Sequence, residues 1–342
     1  MTEIYGTLGP ACREQETLEK MFDAGMSGVR LNLSHVTLRQ AERQIETLHK
    51  AAAKCGVKTG LVIDMQGPEL RIGEMDEPVV LKKGETVYLG KKGIPVPKDL
   101  CRYMEPGQQL LLDDGKLALR VDRQEDEAVY AQVLRGGALL SRKSIAMPGA
   151  DIHPPAMTES DRENIRLAAG YGVTGVMQPF VRGREDLQAL RRALAEAGAE
   201  NIRLFAKIEN REGLSKLSEL IENCDEIVIA RGDLGNAVPL WELPGVQKSI
   251  SRACRKAERA FMVVTQMRSS MEQNPVPTRA EVSDIFNAVL DGASSVMVTG
   301  ETAAGRYPVE AISYLRRTAE AALAYRTAGN LPENDSRENL LY

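Results

Sequence analysis

The chain has 342 residues, 43% of them hydrophobic and 27% charged, with a formal net charge of −4. This is the composition of an ordinary soluble globular protein, and the mild charge without a long basic run argues against nucleic-acid or membrane partners. The N-terminal MTEIYGTLGP lacks the charged-then-apolar order of a signal peptide and no segment approaches ~18 consecutive apolar residues, so a cytoplasmic location is expected.

Short apolar runs alternate with longer amphipathic stretches. Strands are predicted at 3–9 (EIYGTLG), 28–34 (GVRLNLS) and 59–65 (TGLVIDM), then at 172–180 (GVTGVMQPF), 202–209 (IRLFAKIE), 225–232 (DEIVIARG), 260–267 (AFMVVTQM) and 294–301 (SSVMVTGE). Helical patterns follow them at 13–24, 37–55, 159–170, 184–197, 211–222, 242–257, 279–291 and 308–324. Near-continuous Val/Ile/Leu/Met runs suit parallel strands covered on both faces. Eight strand–helix units predict an α/β chain folded as a (β/α)₈ barrel rather than an open doubly wound sheet. Residues 74–147 interrupt the alternation with short alternating segments broken by Gly, Pro and Asp-Gly, the pattern of a small antiparallel β domain. It leaves after the third strand, on the face where barrel loops carry function, and reads as a lid. The barrel is thus expected from 1–73 and 148–325, with a polar, Pro-interrupted tail at 326–342. Five scattered cysteines without a C-x-x-C spacing read as reduced thiols. Three histidines far apart argue against a His-based metal site.

The catalytic face of such a barrel lies at the strand C-termini, and there the polar residues collect. Arg30, Asn32 and Ser34 alternate on one face of the second strand. Asp64 ends the third, followed by Glu69 and Arg71; Lys207 and Glu209 end the fifth, Arg231-Gly232-Asp233 the sixth, Thr265 and Gln266 the seventh, Thr299 and Glu301 the eighth. So many charges at one mouth call for neutralising ligands or metals. Glu209 and Asp233 are hard oxygen donors spaced for one Mg²⁺ that keeps waters and substrate oxygens. Arg30, Arg71 and Lys207 suit a phosphate or carboxylate; Asn32, Ser34 and Asp64 suit a monovalent cation. This set matches the needs of phosphoryl transfer. No G-x-x-x-x-G-K-[ST] loop is present, so a nucleotide would bind by another route.

The stretches GTLGPA, GMSGVRLNLSH, DMQGPELRIG, LLDDGKLAL, KIENREG, ARGDLG, TQMRSSM, PVPTRAEVSDIFNAVLDGA and TGETAAGRYPVEA, in this order from residue 6 to about 312, resemble pyruvate kinase. The resemblance implies a barrel with an inserted β-barrel-like lid and transfer of phosphate from phosphoenolpyruvate to ADP, with Mg²⁺ (or Mn²⁺) and K⁺. By motif, Arg30 and Lys207 would bind the transferring phosphoryl group, and Lys207 would also offset charge on the enolate. Glu209 and Asp233 would hold Mg²⁺. The backbone amides around Arg231, Gly232 and Asp233 would receive the substrate carboxylate, and Thr265 would lie near the enolate face that is protonated. Asn32, Ser34, Asp64 and the Met65 carbonyl would coordinate K⁺, whose requirement goes with an acidic residue at Glu69. Arg71 and Lys143 would reach nucleotide phosphates, with Pro10 near the adenine edge.

The resemblance also has gaps. The regulatory C-terminal domain of most family members has no counterpart in these 342 residues, so activation by sugar phosphates is not expected and a homodimer through the barrel is. Val36, Gln66, Pro179, Ser144, Ala146 and Ala237 replace residues common in the family, mostly on the lid and nucleotide side, while the metal and phosphate groups are kept. Two other readings stand beside the first: a related enzyme that takes phosphoenolpyruvate or a similar enol phosphate with another acceptor, and a non-catalytic phosphoenolpyruvate-binding regulator.

Overall fold

A computed structural model describes residues 1–329 apart from 69, 92, 114, 126–127 and 151–153. Glu69, and the expected tail from residue 330 onward, lie outside the described residues. The strands, in chain order, are β1 (Glu3–Thr7), β2 (Gly28–Asn32) and β3 (Gly60–Asp64). Seven short strands follow in the insert: β4 (Val79–Leu81), β5 (Thr86–Leu89), β6 (Gln109–Leu112), β7 (Leu117–Glu125), β8 (Ala128–Arg135), β9 (Gly137–Leu139) and β10 (Ile145–Ala146). The chain then returns through β11 (Gly175–Gln178), β12 (Arg203–Ile208), β13 (Glu226–Ala230), β14 (Ala260–Val264) and β15 (Ser295–Met297).

Eight strands close on themselves in the order β1-β15-β14-β13-β12-β11-β3-β2, every neighbour parallel. The alternating pleat divides each strand between two cores. Tyr5, Val62, Met177, Phe205, Val228, Met262 and Met297 fill the barrel interior. Ile4, Leu61, Ile63, Ile227, Ile229 and Val263 face the surrounding helices. The bulky interior forces small residues next to it. A Cβ on Gly28 would stand 2.1 Å from Tyr5 Cε1, and one on Gly175 2.5 Å from Phe205 Cε2. Gly28→Ala is therefore expected to cost about 1–3 kcal/mol by overpacking, read as a lower urea midpoint with an unchanged m-value.

The insert has its own apolar centre, built on Leu89, Leu110, Leu119, Val129 and Val133. Its five-stranded antiparallel sheet runs β10-β6-β7-β8-β5, with β4 and β9 paired separately. Two expectations about helices need correction. The second helix covers Glu42–Lys54 and not the residues from 37. The stretch at 211–222 is two helices, Arg211–Ser215 and Leu217–Asn223, broken at Lys216 (φ −104°, ψ 22°) so that Leu220 and Ile221 turn into the core. Lys216 is neither Pro nor Gly, so residue type gives no warning. The last helix, Pro308–Thr327, runs slightly past the expected barrel boundary. Among the described residues no helix is long and apolar enough to cross a membrane.

Candidate active site

Strand register brings the sequence-selected charges to one end of the barrel. Asn32 pairs with Asp64 across β2 and β3, and Lys207 sits one residue before the end of β12. Alternation then points Arg30, Asp64 and Lys207 into a common space. Asp64 is its centre: Arg30 Nε and Nη2 donate to Asp64 Oδ2 at 2.8 and 2.7 Å, and Lys207 Nζ lies 3.3 and 3.2 Å from the two carboxylate oxygens. Lys207 Nζ also reaches Glu209 Oε1 at 2.9 Å. Burial disfavours the Lys207 ammonium, but Asp64 and Glu209 outweigh it and keep the group charged above the ordinary lysine range. Burial likewise opposes the Asp64 carboxylate, yet Lys207 and Arg30 prevail and hold its pKa below the usual value.

A cavity of about 1650 Å³ opens above this network. Arg30, Asn32, Ser34, Asp64, Met65, Arg71, Pro10, Lys207, Gly232, Asp233 and Thr265 all line it. Three of the sequence-selected residues stand off its wall. Glu209 is buried beneath Lys207, with Oε2 accepting from Phe180 N at 2.8 Å. Lys143 pairs with Asp113 Oδ1 at 2.8 Å. The Arg231 side chain turns away, its Nη1 donating to Asp284 at 2.8 and 2.7 Å and its Nη2 to the Thr265 carbonyl at 2.8 Å. Only the backbone of Arg231 is thus left for the cavity side. His35 faces the cavity, and its pKa is lowered by burial and by Arg71, Arg30 and Lys143.

The strand ends carry backbone strain. Thr265 (φ 77°), Gln266 (φ 54°) and Phe180 (φ 52°) occupy the left-handed region, costly for a β-branched residue such as Thr265. Gly232 permits it, since a Cβ there would stand 2.9 Å from Thr265 Cγ2, and Arg231 fixes the Thr265 carbonyl. Buried Glu301 holds the neighbouring loops, accepting from Arg268 N at 2.9 Å and Thr299 N at 2.7 Å.

Metal-binding capacity can be judged from the donors. Glu209 Oε1 is buried and, despite its contact with Lys207, accepts no hydrogen bond of good geometry. Together with Asp233 it supplies hard oxygens suited to Mg²⁺. Among the described residues no group of three or more His, Cys, Asp or Glu gathers. For a monovalent cation, no donor among the described residues reaches the Met65 carbonyl, whereas the Asp64 carboxylate is shared with Arg30 and Lys207.

Sequence reading missed Asp161, Lys116 and Glu272. Asp161 is fully buried and accepts from Gln66 N (2.9 Å), Gly67 N (3.0 Å) and Thr158 N (2.8 Å), tying the loop after β3 to the helix Glu159–Ala168. The T-x-x-D spacing of Thr158 and Asp161, a capping box, is the signal that could have found it. Asp161→Ala is expected to cost about 2–3 kcal/mol through the lost cap and buried bonds, measured as a lower thermal midpoint. Lys116 comes from the insert and Glu272 from the loop after β14, and both line the cavity.

A closed parallel barrel interrupted after its third strand by a β insert, with carboxylates and cations gathered at its C-terminal mouth, is the class of architecture that this chain builds. The chain matches the family model "Pyruvate kinase, barrel domain" over residues 1–312. It is 38% identical over 339 residues to a pyruvate kinase of Staphylococcus epidermidis, covering 95% of this chain and 58% of that one. It is also 38% identical to pyruvate kinases of Methylorubrum extorquens (93% and 68%) and Aeropyrum pernix (98% and 73%). The chain belongs to the pyruvate kinase family. It spans just over half the length of its staphylococcal relatives.

Proposed function

We propose that this chain transfers the phosphoryl group of phosphoenolpyruvate to ADP, giving pyruvate and ATP. The observation that carries the reading is the junction at Lys207, a buried ammonium placed between Asp64 and Glu209 with Arg30 beside it. Arg30 and Lys207 bind the phosphoryl oxygens and orient the donor. The Lys207 ammonium stays protonated and offsets charge building on the enolate oxygen as the O–P bond breaks. Backbone amides at Gly232 and Asp233 receive the donor carboxylate. Thr265, fixed in its strained conformation, stands at the face where the enolate carbon takes a proton. Arg71, with Lys143 and Pro10, positions the acceptor. Glu209 and Asp233 would hold Mg²⁺ or Mn²⁺, which would supply charge neutralisation. Asn32, Ser34, Asp64 and the Met65 carbonyl would hold K⁺. The segment PTRAEVSD, leading into the helix Arg279–Leu290, forms the contact of a homodimer, and the protein works in the cytoplasm.

Incubation with phosphoenolpyruvate, ADP, Mg²⁺ and K⁺, following pyruvate and ATP separately, tests this. Equal yields of the two are expected. Pyruvate without ATP, or donor loss without pyruvate, would point to another acceptor, and no turnover while phosphoenolpyruvate still raised the melting temperature would leave a different acceptor or a binding role.

A further inference from the structure

The insert is fastened to the barrel on one side. Its outgoing and returning passages pair with each other: Ile72 N donates to the Lys143 carbonyl and Ile145 N to the Leu70 carbonyl, both at 2.9 Å, with Arg71 bridging Ser144. Asp161 anchors the outgoing passage beside β3. On the rim across the mouth, the end of the β6–β7 hairpin comes down onto the barrel. Gly115 lies against Asn236 of the helix Arg231–Ala237, so close that a Cβ on Gly115 would stand 2.8 Å from Asn236 Oδ1. Arg135 braces this point, donating to the carbonyls of Gly115 and Lys116. Lys116, next along, faces the cavity opposite Glu272 and acts on its charge.

We infer that Asn236 is the catch on which the insert closes, and that Gly115 is the residue whose missing side chain lets it seat. Asn236 is a positioning residue, since it acts by holding the insert over the cavity. A seated insert keeps water from the phosphoryl group and completes the acceptor side with Lys143. The consequence for turnover rests on the phosphoryl-transfer reading; the contact itself does not.

A double-mutant cycle of Gly115→Ala and Asn236→Gly tests it, read by tryptic cleavage at the Arg71 and Arg142–Lys143 passages and by kinetics with ADP. Gly115→Ala is expected to speed cleavage and to lower kcat/KM for ADP by about tenfold. Asn236→Gly alone removes the catch and is itself expected to speed cleavage, and the double variant should match it to within about twofold instead of adding the two losses. The φ of 78° at Gly115 strains alanine in either background, so this part cancels in the cycle. Independent effects on cleavage would overturn the catch. Coupled cleavage without ADP-dependent turnover in any variant would support the catch and remove the phosphoryl-transfer reading. Should Gly115→Ala fail to fold, Asn236→Leu adds bulk from the barrel side, and wild-type cleavage in that variant would overturn the proposal.

Discussion

Lys207→Met is expected to lower the rate of ATP formation by on the order of 10³-fold or more, with the far-UV circular dichroism unchanged. Methionine keeps the apolar stem of the side chain and removes the charge that touches both Asp64 and Glu209. Asp64 keeps Arg30 as partner, but Glu209, almost fully buried, loses the cation beside it. Breaking a buried pair in this way costs about 3–5 kcal/mol, so the thermal midpoint should fall, and Mg²⁺ should return part of the loss by taking up Glu209. Turnover at the wild-type rate would show that Lys207 is not the phosphoryl-binding cation.

Asp64→Asn reverses the imbalance and leaves two cations, Arg30 and Lys207, facing each other under little solvent. A stability loss of about 3–5 kcal/mol is expected near neutral pH, together with near-complete loss of turnover. The pH dependence gives a second readout. The folded-state pKa of Asp64 lies below its unfolded value of about 3.9. Its contribution is therefore complete above the unfolded pKa and is lost as pH falls through the folded one. The difference in unfolding free energy between wild type and variant should be flat from neutral pH down to about pH 5 and shrink below that. A difference that grew on acidification would show that Asp64 is not held ionised by its neighbours.

Much of this was legible because barrel strands announce themselves. Continuous runs such as DEIVIARG (225–232) contain the observed β13, and i, i+2 spacing correctly placed Lys207 and Glu209 together. What escaped depends on backbone paths and on contacts between distant segments. Arg231 stands, in sequence, among the charges at the strand ends; the helical turn begun there swings its guanidinium onto Asp284. Asp161 is one acidic residue in an acidic helix start until the loop after β3 lays two amide groups on it. The meeting of Gly115 with Asn236 joins two segments more than a hundred residues apart, and neither residue carries a charge that would have drawn notice. Lys207 needed no such help, because its partners approach along strand registers that periodicity already sets.

The barrel order gives the single-sided fastening of the insert a directional meaning. β14 stands four places from β3, across the ring, so a flap pivoting beside β3 parts most widely above β14, at Thr265 and Glu272, and least above Asn32 and Asp64. If the flap swings on that tie, a molecule bound for the Asp64–Lys207 floor enters past the β13–β14 side, the same side on which the insert meets Asn236.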